Sequence, residues 1–207
     1  MTTQASVIPM SDVSDTITAS DLAPHVLPDS FLSSSSVQQI LDMSLPRFEE
    51  LPDIGLYREQ VVSYIESALA PLSTPAHEAW ITPAMINNYV KAQLVQAPTK
   101  KLYHRRQIAR FIIICLFKQF MPIAAIHKIF RMQQVSYPDH VAYNYVIHEL
   151  KAALTTAFIP GSAIPADSAT IITRESLLVR SAVAAFASRS FLMTYLQFAG
   201  YEGAKSS

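Results

Sequence analysis

Residues 81–130 read ITPAMINNYVKAQLVQAPTKKLYHRRQIARFIIICLFKQFMPIAAIHKIF, and this stretch decides the fold. Thr82 can accept a backbone N–H as an N-cap, and Pro83 suits the first helical position. A short helix over Pro83–Lys91 follows. Met85, Ile86, Tyr89 and Val90 supply its apolar side, and Asn87, Asn88 and Lys91 fall on the other. Gln93–Tyr103 is a turn-rich connection marked by Pro98 and Thr99. Leu94–Val95 and Leu102–Tyr103 are candidates for two very short strands. From Arg105 to about Phe120, Ile108, Phe111, Ile112, Cys115, Leu116 and Gln119 recur at helical spacing. Pro122 separates that helix from a shorter one, IAAIHKIF. The order is helix, link, helix, shorter helix, with basic residues gathered in and after the link.

Outward from this block the chain stays helical. Upstream, Val61, Tyr64, Ile65, Ala68 and Leu69 share one face of a helix over Tyr57–Ala70, ended by Pro71 and Pro75. A polar link through His77 leads to Trp80. A short helix is expected at Val37–Met43. Residues 1–36 hold Ser/Thr/Asp/Pro clusters and little sustained periodicity, so they are expected to be disordered. Leu22, Val26, Leu27, Phe31 and Leu32 could still dock on the core or on a partner. Downstream, helices are expected at His140–Phe158 and, after a Pro/Gly/Ser loop over Ile159–Thr170, at Arg174–Gly200. The fold class is all-α. The expected division is a largely disordered or loosely docked segment 1–44, a unit over 45–135 and a C-terminal helical extension over 136–207.

Composition narrows the function. The 207 residues include four glycines and thirteen prolines, and 50% are hydrophobic. So few glycines disfavour a hairpin-rich β fold or a Gly-rich phosphate loop. One cysteine, Cys115, excludes an intramolecular disulfide and a multi-Cys zinc site. The start of the chain shows no basic segment followed by an apolar one, so no secretory signal is expected and a cytoplasmic location is. Ser181–Gly200 is about long enough to span a bilayer. Arg189 at its middle disfavours insertion by about 2.5–3.5 kcal/mol on translocon scales. A buried or dimer-interface helix is expected instead, and no transmembrane segment. The six histidines form no metal signature, and Ser162 in PGSAIP lacks the glycines of a nucleophile elbow. Cys115 lies in an apolar helix, where a structural thiol is expected. Neither an enzyme activity nor a cofactor or metal is expected.

The charge is unevenly placed. Residues 1–80 carry two basic and eleven acidic side chains; residues 81–138 carry nine basic and no acidic ones; residues 139–207 carry five of each. A block of this kind suits a polyanion. Within it, Lys100, Lys101, Tyr103, Arg105 and Arg106 form the densest cluster, and ammonium, guanidinium and phenol groups are common phosphate binders. Arg105 and Arg106 stand at the positive end of their helix, where the macrodipole favours acids. That locally unfavourable choice points to function. Asn87 and Asn88 are candidates to read a base edge, since Asn pairs bidentately with adenine in the major groove.

These residues resemble the MerR-like winged-helix pattern, with Thr82, Pro83, Ile86 and Tyr89 in a T-P-x-x-I-x-x-Y helix. Lys101 and Tyr103 end the wing, and Ile108, Ile126 and Ile129 lie in the helices that follow. The wing is shorter than in that family and lacks glycine, and no long coiled-coil helix follows. More closely, LPRFEELPDIGLYREQVVSYI, MINNYVKAQLVQAP and KKLYHRRQIARFIIICLFKQ resemble the bacterial domain-of-unknown-function family numbered 1836, over about Leu45–Glu202. The resemblance implies a DNA-binding transcriptional regulator on a MerR-like winged helix-turn-helix core. From the resemblance, Asn87, Asn88 and Tyr89 would belong to the recognition helix and Lys101 and Tyr103 to the wing; the charge pattern adds Lys91, Lys100, Arg105 and Arg106 as DNA-binding residues. The regulator's partner would be double-stranded DNA, bound as a homodimer paired through the last two helices, with room for a small-molecule effector the sequence does not identify. The alternatives are a protein-interaction adaptor on the same scaffold without DNA binding, and peripheral binding to anionic lipid.

Overall fold

Prolines and local caps cut the chain into eight α-helices in the computed structural model, which describes residues 25–74 and 79–200. They are α1 (Asp29–Leu32), α2 (Ser35–Asp42), α3 (Arg58–Leu69), α4 (Pro83–Lys91), α5 (Arg105–Phe117), α6 (Ile123–Ser136), α7 (Asp139–Phe158) and α8 (Arg174–Phe198). Pro83, Pro122 and Pro138 stand at the starts of α4, α6 and α7. The backbone N–H groups of Tyr57 and His104 donate to the side chains of Gln60 and Gln107, three residues on, at 2.9 and 2.7 Å. Each contact satisfies a donor that a helix start leaves without an intrahelical partner. Among the described residues there is no strand, only two isolated bridges. The fold is all-α.

α5 is the central element. Ten of its thirteen residues are buried, from Gln107 to Phe117 with Arg110 the exception in that run. A helix apolar on all sides belongs inside a core, and α5 packs against α3, α6, α7 and α8. Its C-terminus comes at Phe117, one turn earlier than the periodicity suggests, because Phe120 and Met121 both donate back to the Phe117 carbonyl. α6 runs on to Ser136, six residues past the expected end, since nothing breaks the helix before Pro138.

α7 and α8 run parallel. Glu149 meets Arg180 at 3.4 Å, and the Phe158 ring meets Phe191 at 5.5 Å, so positions rise together along both helices. Residues 159–173 therefore return along α7. Buried Glu149 accepts from the Ser168 hydroxyl and backbone, and the Tyr145 hydroxyl donates to Asp167 at 2.7 Å. α8 is long and apolar enough to cross a membrane by length and composition. It lays Ala182, Val183, Phe186, Ala187, Ser190 and Thr194 into the core, and it carries Arg189, exposed, at its middle.

The N-terminal part differs from expectation. Residues 25–36, read as disordered, hold α1 and the start of α2. Phe31 is fully buried, edge-on to Phe191, Tyr195 and Phe198 at 5.2–5.9 Å. Ser34 caps α2 by accepting from Val37 N–H at 3.4 Å. Lys151 of α7 donates to the carbonyls of Leu41 and Met43, and Asn144 accepts from the Phe48 N–H at 2.8 Å. The partners of this segment lie about 100 to 170 residues away, beyond the reach of local periodicity. Leu27 and Leu32 also pack on the core, whereas Val26 is exposed; Leu22 and His77 lie outside the described residues. One buried cluster runs from Phe31 to Ala187, through both 44 and 135, where the sequence suggested divisions.

Candidate nucleic-acid interface

α4 forms where local signals require it. The Thr82 hydroxyl accepts from Met85 N–H at 3.2 Å, and Pro83 opens the helix. At the other end Leu94 N–H donates to Tyr89 O and Gln93 N–H to Val90 O, a Schellman ending with Gln93 left-handed at φ 59°. Ile86 and Tyr89 face the core. Glu66 of α3 accepts from Ile81 N–H at 2.9 Å and fixes the entry to the helix. Ala84, Asn87, Asn88 and Lys91 are exposed, spaced i, i+3, i+4, i+7 along one free face.

The link to α5 ends in a tight turn. Thr99 and Leu102 exchange both backbone hydrogen bonds, at 3.0 and 2.9 Å, around Lys100 and Lys101. Both lysines are left-handed, φ 51° and 68°, the φ pattern of a type I′ hairpin turn. Asn-Gly is the usual occupant; a Cβ-bearing residue in this region costs roughly 1–2 kcal/mol. Beyond the turn, Tyr103 and Leu56 exchange hydrogen bonds at 2.8 Å, so the second half of the turn pairs with the chain ahead of α3. Leu94 and Val95 are buried but form no strand. Gly55 permits the close approach, since a Cβ there would lie 2.8 Å from Leu102 Cβ.

Two α5 side chains hold the link from beneath. Gln107 donates to the carbonyls of Gln96 and Ala97, both at 3.1 Å, and Arg110 donates to Leu94 O at 3.2 Å. Burial disfavours the Arg110 charge; Asp139 at 3.5 Å and the face of Phe130 at 5.0 Å offset that cost. Sequence reading did not single out Gln107 or Arg110. The one available signal was the Gln three residues past His104, the reciprocal half of a capping box.

The expected site residues divide. Asn87, Asn88, Lys91, Lys100 and Lys101 are exposed, and among the described residues no carboxylate pairs with the three lysines. Tyr89 and Tyr103 are corrections: at 7% and 4% exposure they are core residues, packed on Phe111 at 6.5 and 5.6 Å. Burial pushes the Tyr89 phenol up to about 12 and raises that of Tyr103. Arg105 is also a correction. It donates to Leu51 O at 3.0 Å and pairs with Asp53 at 3.4 Å, tying α5 to the chain before α3. Arg106 pairs with Asp139 at the start of α7. The two arginines at an unfavourable helix end thus have internal acidic or carbonyl partners. Lys118, a further cation of the block, donates to Trp80 O.

His127, Lys128 and Arg131 of α6, which sequence reading passed over, line a second depression together with Ala124, Met132, Val135 and Arg174 of α8. The i, i+1, i+4 spacing of His127, Lys128 and Arg131 inside the acid-free block was the signal for it. Cys115 is fully buried, and burial pushes its thiol up to about 12, which suppresses the reactive thiolate. Among the described residues no three His, Cys, Asp or Glu side chains gather as a metal site.

The family model described as Domain of unknown function (DUF1836) matches residues 46–147. That span takes in α3 to α6, the turn and the first half of α7. No match was found among curated proteins or among solved structures.

Proposed function

We propose that the chain, whose residues 46–147 match the DUF1836 family model, is a DNA-binding transcriptional regulator built on a MerR-like winged helix-turn-helix. α4 enters the major groove with Asn87 and Asn88 toward base edges and Lys91 toward the backbone. Lys100 and Lys101, at the tip of the turn, hold phosphates as a minimal wing. The observation that carries this reading is the free Ala84–Asn87–Asn88–Lys91 face followed by two unpaired lysines on a tight turn. A helix of this length with one polar side suits a groove about 12 Å wide. The same reading makes the protein a cytoplasmic homodimer without enzymatic activity. Selection of bound sequences from a random duplex pool tests it: a preferred half-site, bound with steep salt dependence, is expected.

A protein-interaction adaptor is the second reading. Asp53 and Asp139 already neutralise part of the basic block, and such neutralisation favours a scaffold over a polyanion binder. Absence of duplex binding even at low salt, where phosphate contacts are strongest, would replace the first reading with this one.

A further inference from the structure

α5, α6, α7, α8 and the loop over residues 168–173 line a cavity of about 580 Å³ that opens to the surface beside Tyr137, Val141 and Ile171. Small-molecule sites run to roughly 300–1,000 Å³. Ile113, Phe117, Ile129, Phe130, Val146 and Val179 make most of its wall apolar.

Its polar end has an uneven charge count. Arg106 and Arg110 stand one turn apart on α5, both line the cavity, and both pair with the same carboxylate, Asp139. The other lining carboxylate, Glu175, is already matched by Arg174 and accepts from the Ser136 hydroxyl. The lining Tyr145 hydroxyl is spent on Asp167. Among the lining residues this leaves two guanidiniums sharing the one carboxylate of Asp139, a single positive charge in excess. Each guanidinium has five donors in a planar fork that matches a carboxylate. Arg106 commits one nitrogen to Asp139, and Arg110 commits its two terminal nitrogens to Leu94 O and Asp139.

We propose that this cavity binds a small amphipathic carboxylic acid, with its apolar body between α6, α7 and α8 and its carboxylate on Arg106 and Arg110. The inference does not depend on the DNA-binding reading. It has one structural consequence for that reading: Arg110 also holds the Leu94 carbonyl, so a bound carboxylate acts on the residue that supports the α4–α5 link.

Calorimetric titration of the full chain with sodium decanoate and with 2-naphthoate, each below its aggregation concentration, tests the proposal. At least one acid is expected to bind saturably, one per chain, roughly tenfold more tightly than decan-1-ol or 2-naphthylmethanol respectively, since a charge-assisted hydrogen bond is at stake. Arg106→Gln should lose about the same factor, and Arg106→Lys less. Ala142→Phe, which fills the cavity, should abolish binding; Ala169→Phe on the loop wall serves if circular dichroism finds the first variant unfolded. Failure of both acids to bind overturns the proposal. Equal affinity for acid and alcohol, or binding indifferent to Arg106→Gln or to the filled cavity, overturns it as well.

Discussion

The turn at Lys100–Lys101 sets backbone economy against charge, and a double substitution separates the two. Both lysines have positive φ, each costing roughly 1–2 kcal/mol relative to a residue at ease there. Lys100→Asn with Lys101→Gly installs the pair that a type I′ turn favours. Full relief would be worth about 2–4 kcal/mol, but Asn relieves only part of its share. Glycine also returns about 0.4–1 kcal/mol of entropy to the unfolded chain. A net gain of about 1 kcal/mol is expected, read as a rise in melting temperature of roughly 2–4 °C for a chain of this size. Among the described residues neither lysine has an ion pair to lose. Duplex affinity should move the other way. If both lysines hold phosphates, the slope of log affinity against log salt becomes shallower by roughly 1.8 per chain. Urea denaturation and fluorescence anisotropy on the selected duplex, from 50 to 200 mM salt (roughly the range over which phosphate contacts are diagnostic), measure the two effects. A loss of stability would refute the strain argument. Greater stability with an unchanged salt slope would mean that the lysines merely solvate a turn.

Other outcomes follow from burial and exposure. Asn87→Ala or Asn88→Ala should cost about 1–3 kcal/mol on the preferred duplex and little on random DNA, measured by competition anisotropy. Phe31→Ala should destabilise the fold by about 3–5 kcal/mol in urea titration, whereas a loosely docked N-terminus would leave the midpoint unmoved. On α8, Leu177, Ser181, Ala184, Ala185, Ser188, Leu192 and Leu196 form one exposed stripe; light scattering should give twice the 22.9 kDa chain mass, and Leu192→Arg should return the monomer. Tyr89 and Cys115, whose pKa values burial pushes up to about 12, contribute stability that is complete below their unfolded values near 10 and 9. That contribution should fade as pH rises from about 9 to 12, seen as a urea midpoint flat from pH 7 to 9 and falling above it.

Legibility in the sequence followed the range of the forces involved. α4 could be read to its end residues because Thr82 and Pro83 define its start through contacts within three positions. Its apolar and polar sides were legible for the same reason. The turn was legible as a turn, from Pro98 and Thr99. Its left-handed lysines were not, since no glycine or asparagine marks them. Tyr89 falls on the apolar side of α4 in the sequence as in the structure. It is the DNA-contact role of Tyr89 and Tyr103 that fails, since both phenols pack on Phe111 from a position that suits solvent and core equally in sequence. Arg105 and Arg106 were misjudged because Asp53 and Asp139 lie 52 and 33 positions away. Phe31 depended on rings near residues 191–198.

The acid-free block resolves into three uses of positive charge. Arg105, Arg106, Arg110 and Lys118, all from α5 or its end, reach carbonyls or flanking carboxylates and hold the helix in place. Lys91, Lys100 and Lys101 stay exposed on α4 and the turn. Lys128 and Arg131 stay exposed on α6. Of the carboxylates that do pair with the block, Asp53 precedes it and Asp139 follows it immediately in sequence. An acid within the block would sit one or two turns from the free lysines and weaken the field they present. Placing the acids just outside lets α5 be neutralised while the α4 face and the turn remain positive. Asp139 carries both tasks, since it balances Arg106 and Arg110 at the mouth of the cavity and thereby fixes the guanidinium beneath Leu94. Asp139→Asn should therefore act twice, loosening the α4–α5 link and raising the excess charge of the cavity. Hydrogen exchange at residues 94–103 reads the first effect and decanoate titration the second. Slower exchange together with weaker decanoate binding would refute this shared role.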